Sequence, residues 1–415
     1  MDLISANRAL EIVLESSAAV GVERVAIRDA VKRVLAEDIH SPRDVPGFDN
    51  SAMDGYAVRS ADVAGASEAT PVRLLVVDTI GAGRMPSVEV QPGTASRIMT
   101  GASLPPGADA IVQVERTRQS GDTVEIMTAA PVRNFIRPRG EDVRRDELVL
   151  KAGTVLGAAD IGMLAALNRS TVQLWRRPRV GIVSTGDELV EVDQVPSGAQ
   201  VVNSSGYALA AATIEAGAEP VMLPIARDRP ELIRQRLADA LAFDLVLSTG
   251  GVSVGQFDYV SGELQRLGMR ERFHGVAQKP GKPLAFGTVG TKLVFGLPGN
   301  PVSTMVCFYL YALAALDKMG GRVRIGLTRV RARCGTDIRT ASNLTEFVRV
   351  RVAREGDELI ATPAGSQSSG VLSSLSRANG LLIGPAAATV LKRGDYATVL
   401  LLDTGVVTMT EVGFD

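Results

Sequence analysis

The chain has 415 residues, and its 45 Lys plus Arg nearly cancel its 46 Asp plus Glu to leave a formal charge of −1. That balance leaves no basic excess to hold a nucleic-acid backbone or an anionic membrane, and at roughly one domain per 150 residues the length predicts about three domains. With only two cysteines, Cys307 and Cys334, and two histidines, His40 and His274, there is little material for a zinc site or a Ser-His-Asp triad. Any metal is expected on carboxylates, and the thiols are expected buried in a reducing compartment.

Residues Met1 to Ala19 carry Asp2, Arg8, Glu11 and Glu15, which suits neither a signal peptide nor a membrane span, so a cytoplasmic protein is expected. Ile4 to Ala18 has the spacing of an amphipathic helix, with Leu10, Val13 and Leu14 on one side, and a second short helix is expected over Ile27 to Leu35. After Pro42 come short β-prone runs, Val72 to Val77, Ala95 to Met99, Ala110 to Val114 and Thr123 to Met127, which predict a small inserted β unit over 42–133. Helical texture returns at Ala159 to Leu167, so 1–41 and 134–175 are expected to form one N-terminal unit around that insertion.

From Val180 onward the pattern alternates. Strands are expected at Val180 to Val183, Pro220 to Pro224, Asp244 to Leu247 and Leu293 to Phe295, with helices at Gly206 to Ala216, Pro230 to Leu241, Tyr259 to Leu267 and Pro301 to Leu316. This alternation predicts a doubly wound, mostly parallel α/β domain over 176–322. The remaining 323–415 is β-rich and predicts a C-terminal barrel or sandwich. The fold class is therefore α/β plus β, in several domains.

Three of the predicted strands run into glycine: Ser184-Thr185-Gly186-Asp187-Glu188-Leu189, Ser248-Thr249-Gly250-Gly251-Val252-Ser253-Val254-Gly255, and Gly296-Leu297-Pro298-Gly299-Asn300-Pro301-Val302-Ser303. Such turns expose backbone N–H groups at the carboxyl edge of a sheet, where open α/β domains bind phosphorylated ligands. Asp187, Glu188, Asp228 and Asp258 fall at or just beyond strand ends and could hold Mg²⁺ through oxygen, while Asp228, ahead of Arg229-Pro230, also fits a helix N-cap. In Lys279-Pro280-Gly281-Lys282-Pro283, two ammonium groups project from a constrained turn and would welcome an anion, although the segment by itself also reads as a solvated surface turn. Val45 to Ala57, with Asp49, Asn50, Ser51, Asp54 and Gly55, reads on its own as a turn-rich loop, and Arg97 to Ala102 as a strand ending in a β-turn at Thr100-Gly101.

Taken together and in order, Phe48-Asp49-Asn50-Ser51-Ala52-Met53-Asp54-Gly55-Tyr56-Ala57, Met99-Thr100-Gly101-Ala102, Arg139-Gly140-Glu141-Asp142, the three glycine turns and the lysine turn resemble the molybdopterin molybdenumtransferases, the family of bacterial MoeA and the gephyrin E domain. The resemblance implies an enzyme that inserts molybdenum from molybdate into adenylylated molybdopterin and releases AMP with the help of Mg²⁺. It places Thr185, Gly186, Gly250, Gly251, Ser253, Asn300 and Pro301 at the pterin nucleotide, and Glu188, Asp228 and Asp258 at the metal. Lys279, Lys282, Pro283, Ser303, Arg349 and Ser369 would surround molybdate, and Asp54, Thr100, Asp142 and Asp187 would complete the catalytic cleft. It further implies a homodimer and a transient contact with the molybdopterin adenylyltransferase. The chain departs from the family pattern at Gln256, where an acidic residue is frequent, and ahead of Phe347-Val348-Arg349, where a Gly-Arg pair is missing. Two rival readings remain: a pterin-binding scaffold without turnover, and a Mg²⁺-dependent nucleotide pyrophosphatase. Intact carboxylates argue against the first and the paired lysines against the second.

Overall fold

The computed structural model describes residues 3–251, 259–340, 343–386 and 390–407. Its centre is a six-stranded sheet in the spatial order Glu219–Met222, Arg179–Ser184, Leu245–Thr249, Lys292–Leu297, Ala285–Val289, Arg270–His274. The first four strands run parallel, and the last two continue the sheet antiparallel. Strands covered on both faces read as unbroken apolar runs, and alternate residues serve opposite layers. Val180, Ile182, Leu245, Leu247, Leu293 and Phe295 join the core beneath the helices Ala6–Ser16 and Ser204–Glu215 and the segment 301–319. Val183, Val246 and Val294 face the helices Pro230–Ala240 and Tyr259–Arg266. Phe273, Phe286 and Phe295 stack across the antiparallel side with ring centroids 5.5 and 4.7 Å apart.

The segment 301–319 is one continuous helix with an α-helical start, Pro301–Cys307, a π turn, Phe308–Ala312, and an α-helical end, Leu313–Met319. By length and composition it could cross a membrane, yet 78% of its most apolar window is buried inside the protein. A helix that is apolar all round is here packed all round.

Two of the sequence expectations fail locally. Ile27 to Leu35 is not a helix: only a 3₁₀ turn, Ile27–Asp29, forms before Lys32 adopts φ +61°, and Val34 and Leu35 bridge to Val155 and Leu174. Burial of Leu35 with Leu164 and Leu174 outweighs the helical spacing. Nor is Val45 to Ala57 only a loop. Gly55–Val58 is the second strand of a six-stranded sheet ordered Ala110–Gln113, Gly55–Val58, Thr94–Ile98, Val72–Ile80, Thr123–Ile126, Thr117–Ser120. A Cβ at Gly55 would stand 2.0 Å from the Val112 carbonyl oxygen, so glycine here permits strand approach. The segments on either side of this sheet meet in space, Val22–Ala26 pairing with Thr171–Trp175 and Ile39–His40 with Leu148–Leu150.

The C-terminal strands close a barrel. Thr345–Glu355 is long enough for two partners, Gly380–Gly384 along its first half and Glu358–Pro363 along its second, and Thr328–Cys334 and Tyr396–Leu401 complete the ring. Gln278–Lys279 adds to the start of Thr345–Glu355 in parallel, which fastens the barrel to the α/β unit through backbone.

The connection into the barrel is held by Asp317, buried in the last turn of the long helix. Its carboxylate accepts the Gly326 amide at 2.8 Å and pairs with Arg322 Nε at 3.3 Å, but burial dominates and pushes its pKa up to about 6. A carboxylate whose folded pKa lies above its ordinary 3.8 adds stability that is complete below that value and is lost as pH rises through about 6. Chemical denaturation of the parent and Asp317→Asn at pH 4 and pH 7 should therefore show the variant gaining on the parent by up to about 3 kcal/mol, at roughly 1.4 kcal/mol per pKa unit. A constant difference between the two pH values would refute this role.

Candidate active site

The sheet order reverses at Arg179–Ser184: the next strand of this sheet in sequence, Glu219–Met222, lies on one side of it and the one after, Leu245–Thr249, on the other. Open α/β sheets bind ligands at such a switch point, beyond the carboxyl ends of the strands. Here those ends are the three glycine turns, and they border a crevice of about 730 Å³. Gly186 has φ +149°, and the Glu188 carboxylate folds so closely over it that a Cβ would meet Oε2 at 2.6 Å. Gly250 and Gly251 have φ +92° and +63°; a Cβ on the first would lie 2.6 Å from the Thr185 carbonyl oxygen, and one on the second 2.6 Å from Val260 Cγ2. Gly299 packs beside Gly250 across the crevice. Thr185, Gly186, Gly250, Gly251, Asn300 and Pro301 all line it, whereas Ser253 lies outside the described residues.

Two helices start at this crevice. Asn300 is the N-cap of the long helix, and Asn203 Oδ1 caps Ser204–Glu215 by accepting the Gly206 amide at 3.1 Å. The positive ends of both helices thus face the same space, an arrangement that favours phosphate. The 201–205 segment is a wall that motif reading does not single out. Its only sequence signal is an Asn after two valines and ahead of a helical run.

Glu188 and Asp228 bring negative charge to the same crevice. Asp228 is not the expected N-cap: the helix at Pro230 begins from Arg229. Its amide instead donates to Asp187 Oδ1 at 3.1 Å while its carboxylate accepts the Asp187 amide at 3.4 Å, locking two turns together. Burial and then the charges of Asp187 and Glu188 raise the Asp228 pKa against that hydrogen bond. Arg227, also unremarked in the sequence, donates from Nη1 to the carbonyls of Asp187 at 2.9 Å and Leu189 at 3.0 Å and so fixes the shape of the acidic turn. Among the described residues, no group of three or more His, Cys, Asp and Glu is placed to hold a metal ion, and Asp258 lies outside them.

The lysine turn adjoins the crevice through Pro283. Lys279 Nζ pairs with Glu346 Oε1 at 3.3 Å, so the expected repulsion between two bare ammonium groups is already relieved at one of them. Lys282 is exposed and has no ion pair among the described residues. Ser303 is buried one turn along the long helix from Asn300. Arg349 is 1% exposed and directs its guanidinium to the Ser366 and Ser368 carbonyls, at 2.9 and 3.1 Å, and to Ser374 Oγ at 3.2 Å. It thereby shapes the loop whose Ser369 carbonyl accepts the Val302 amide at 3.2 Å and whose Gly370 lines the crevice. Asp54, Thr100 and Asp142 do not line the crevice. Asp54 accepts both the amide and the hydroxyl of Thr100 at 2.7 Å, and these bonds, the amide first, lower its pKa. Asp142 is exposed, with its amide on the Val45 carbonyl.

Comparisons with known proteins agree on one family. Residues 4–168 match the model for the MoeA N-terminal region (domain I and II), 181–318 that for a probable molybdopterin binding domain, and 331–402 that for the MoeA C-terminal region (domain IV). The molybdopterin molybdenumtransferase of a Nostoc species is 37% identical over 96% of this chain and 93% of its own, and that of Bacillus subtilis 34% over 92% and 90%. The solved structure of the molybdopterin biosynthesis MoeA protein of Pyrococcus horikoshii superposes with a TM-score of 0.83 at 33% identity, over 97% of this chain and all of that one. The chain belongs to the MoeA family. It is a transferase of molybdenum cofactor biosynthesis.

In this MoeA-family chain a second cavity of about 730 Å³ lies between the N-terminal helix, the long helix and the barrel, lined by residues such as Leu10, Leu14, Leu327, Phe347 and Leu400. Among the described residues its lining includes Gly326 at φ +75° but no carboxylate, and none of the three strand-end glycine turns borders it.

Gly250 tests how far the crevice depends on backbone geometry. Gly250→Ala must bear both the positive φ and the contact with Thr185, a strain of roughly 1–3 kcal/mol, whereas a Cβ at Gly299 meets nothing closer than 3.5 Å. Calorimetric titration with AMP should show affinity lowered at least about tenfold in Gly250→Ala and little changed in Gly299→Ala. Equal affinities would mean that the turn does not form the binding surface.

Proposed function

We propose that the crevice binds adenylylated molybdopterin, that the neighbouring lysine turn binds molybdate, and that the protein inserts molybdenum at the pterin dithiolene with release of AMP. The observation that carries this reading is the convergence of three strand-end glycine turns and two helix N-termini on one cavity, with an oxyanion-suited turn beside it. The N-termini of the helices that start after Asn203 and Asn300 would hold the pyrophosphate, against the Gly186 and Gly250 turns. Lys282 would supply the charge for the oxyanion, with Lys279 shared between that anion and Glu346.

Mg²⁺ fits this donor set. It takes one or two carboxylates together with substrate phosphates and keeps several waters, so the absence of a three-carboxylate cluster among the described residues does not oppose it. Glu188 and Asp228 would hold it, joined by Asp258. Burial first, and then the charges of Asp187 and Glu188, raise the Asp228 pKa, and a cation would relieve the second of these causes. When bound, the ion would neutralise charge on the pyrophosphate as the AMP link breaks. Arg227 and the paired Asp187 and Asp228 amides keep those carboxylates aimed at the crevice.

Asp54, Thr100 and Asp142 stand apart from the crevice within one chain, which supports a homodimer in which the partner subunit presents them. This also accounts for the exposure of Phe48 and Met53 beside Asp54, at 43% and 40%. A transient encounter with the molybdopterin adenylyltransferase would deliver the pterin nucleotide.

Purified protein given adenylylated molybdopterin, molybdate and Mg²⁺ should release AMP and form active cofactor, and AMP release should cease in metal-free buffer. Full activity without a divalent ion would refute the assigned metal role. Lys282→Ala should raise the molybdate concentration for half-maximal cofactor formation about tenfold or more, in the range of one lost charge-assisted contact, with AMP affinity little changed. An unaltered molybdate requirement would place the oxyanion elsewhere. Asp228→Ala should reduce turnover far more than AMP binding, because its charge matters chiefly as the phosphate bond breaks. Equal losses would make it a binding residue.

A further inference from the structure

The lysine turn is held from beneath by a buried polar network. Gln278, which precedes the turn, is completely buried. Its amide nitrogen donates to the Pro280 carbonyl at 3.1 Å and lies 3.6 Å from Cys307 Sγ, while its carbonyl oxygen accepts the hydroxyl of Tyr311. The Cys307 thiol reaches back to the Gly281 carbonyl at 3.7 Å. Cys307 and Tyr311, like Gln278, are almost wholly shielded from water, at 0% and 1% exposure. Gly281, at φ +94°, is seated so tightly on them that a Cβ would stand 2.4 Å from Cys307 Sγ and 2.8 Å from Gln278 Nε2.

These supports come from the long helix, at the same four-residue spacing that carries Ser303. Ser303, Cys307 and Tyr311 follow one another along the helix, with the π turn Phe308–Ala312 beginning between the last two. π turns re-aim side chains and occur frequently at functional sites. Burying an amide and a phenol costs free energy that their mutual hydrogen bond only recovers, and apolar residues of equal volume would stabilise the fold as well. What the polar network adds is direction: it selects one conformation of the turn.

We propose that Gln278, Cys307 and Tyr311 are positioning residues that fix the Lys279–Lys282 turn against Ser303 for oxyanion binding, a role that rests on the oxyanion reading of that turn. The helix that carries Asn300 and Pro301 at the nucleotide crevice is also the bed of the anion turn. The distance between the two substrates is thereby set by one rigid element.

Tyr311→Phe removes a single hydroxyl and keeps the ring. Gln278→Leu removes the network at similar volume. In Tyr311→Phe, the half-saturating molybdate concentration should rise about three- to tenfold, the scale of one lost hydrogen bond, while the maximal rate at saturating molybdate and the affinity for AMP hold. Hydrogen exchange at the Leu284 amide, which closes the turn on the Gly281 carbonyl at 3.3 Å, should quicken by a similar factor with the thermal midpoint nearly unchanged. Gln278→Leu should show both effects more strongly, and if it fails to fold, Tyr311→Phe carries the test alone. Unchanged exchange at Leu284, or a loss of midpoint with proportional losses in every constant, overturns the proposal. Impaired molybdate use in Lys282→Ala but not in Tyr311→Phe overturns this inference alone. Unaltered molybdate use in both, with Leu284 loosened, overturns the oxyanion reading and the network's purpose with it.

Discussion

The helix from Pro301 to Met319 offers water almost nothing it can solvate well, and the protein is assembled around its burial. Val302, Met305, Val306, Phe308, Ala312, Ala315 and Leu316 enter one core with the central sheet, the N-terminal helix and the barrel residues Phe347, Leu381 and Leu400. Hydrophobic burial is non-directional, so by itself it would fix the helix in depth but not in rotation. Direction comes from the polar positions: Asn300 at the cap, Thr304 on the Asn300 carbonyl at 3.1 Å, and Tyr311 on Gln278. Once these are set, the strand-end crevice, the lysine turn and the attachment of the barrel follow from one element.

The crevice also balances charge. Two helix N-termini favour an anion, and two joined turns bring the carboxylates of Glu188 and Asp228 to the same crevice. Under the proposed function the two would divide the work, the helix ends holding phosphate oxygens and the carboxylates a cation. Arg227 commits its guanidinium to main-chain carbonyls. Arg349 is similarly committed to a loop. Both arginines shape the backbone, which is why charge counts say little about this site.

Much of this was legible in the chain. Unbroken apolar strands separated by helical spacing specify a sheet covered on both faces, and Thr-Gly, Gly-Gly and Pro-Gly at strand ends mark the turns, since each reflects local backbone chemistry that a sequence states outright. The boundaries of Arg179–Ser184 and Leu245–Thr249 lie within two residues of their expected positions for that reason. Ile27 to Leu35, by contrast, has helical spacing yet pairs as isolated bridges, because its apolar side chains are claimed by partners more than a hundred residues away. Gly55–Val58 hides as a loop, since its close approach to Val112 exists only once the sheet has formed.

Within the site, the sequence by itself determined the glycine turns, the helix starting at Pro301 and the presence of strand-end carboxylates. Only the tertiary structure decided that Asp228 locks onto Asp187 rather than capping a helix, that Glu346 already neutralises Lys279, that Arg349 grips a loop, and that Gln278 and Tyr311 meet beneath the lysine turn. Backbone propensity is encoded within a few residues and can be read from them. The partner of a charged or polar side chain is fixed by which distant segments burial brings together, and no local stretch of sequence contains that information.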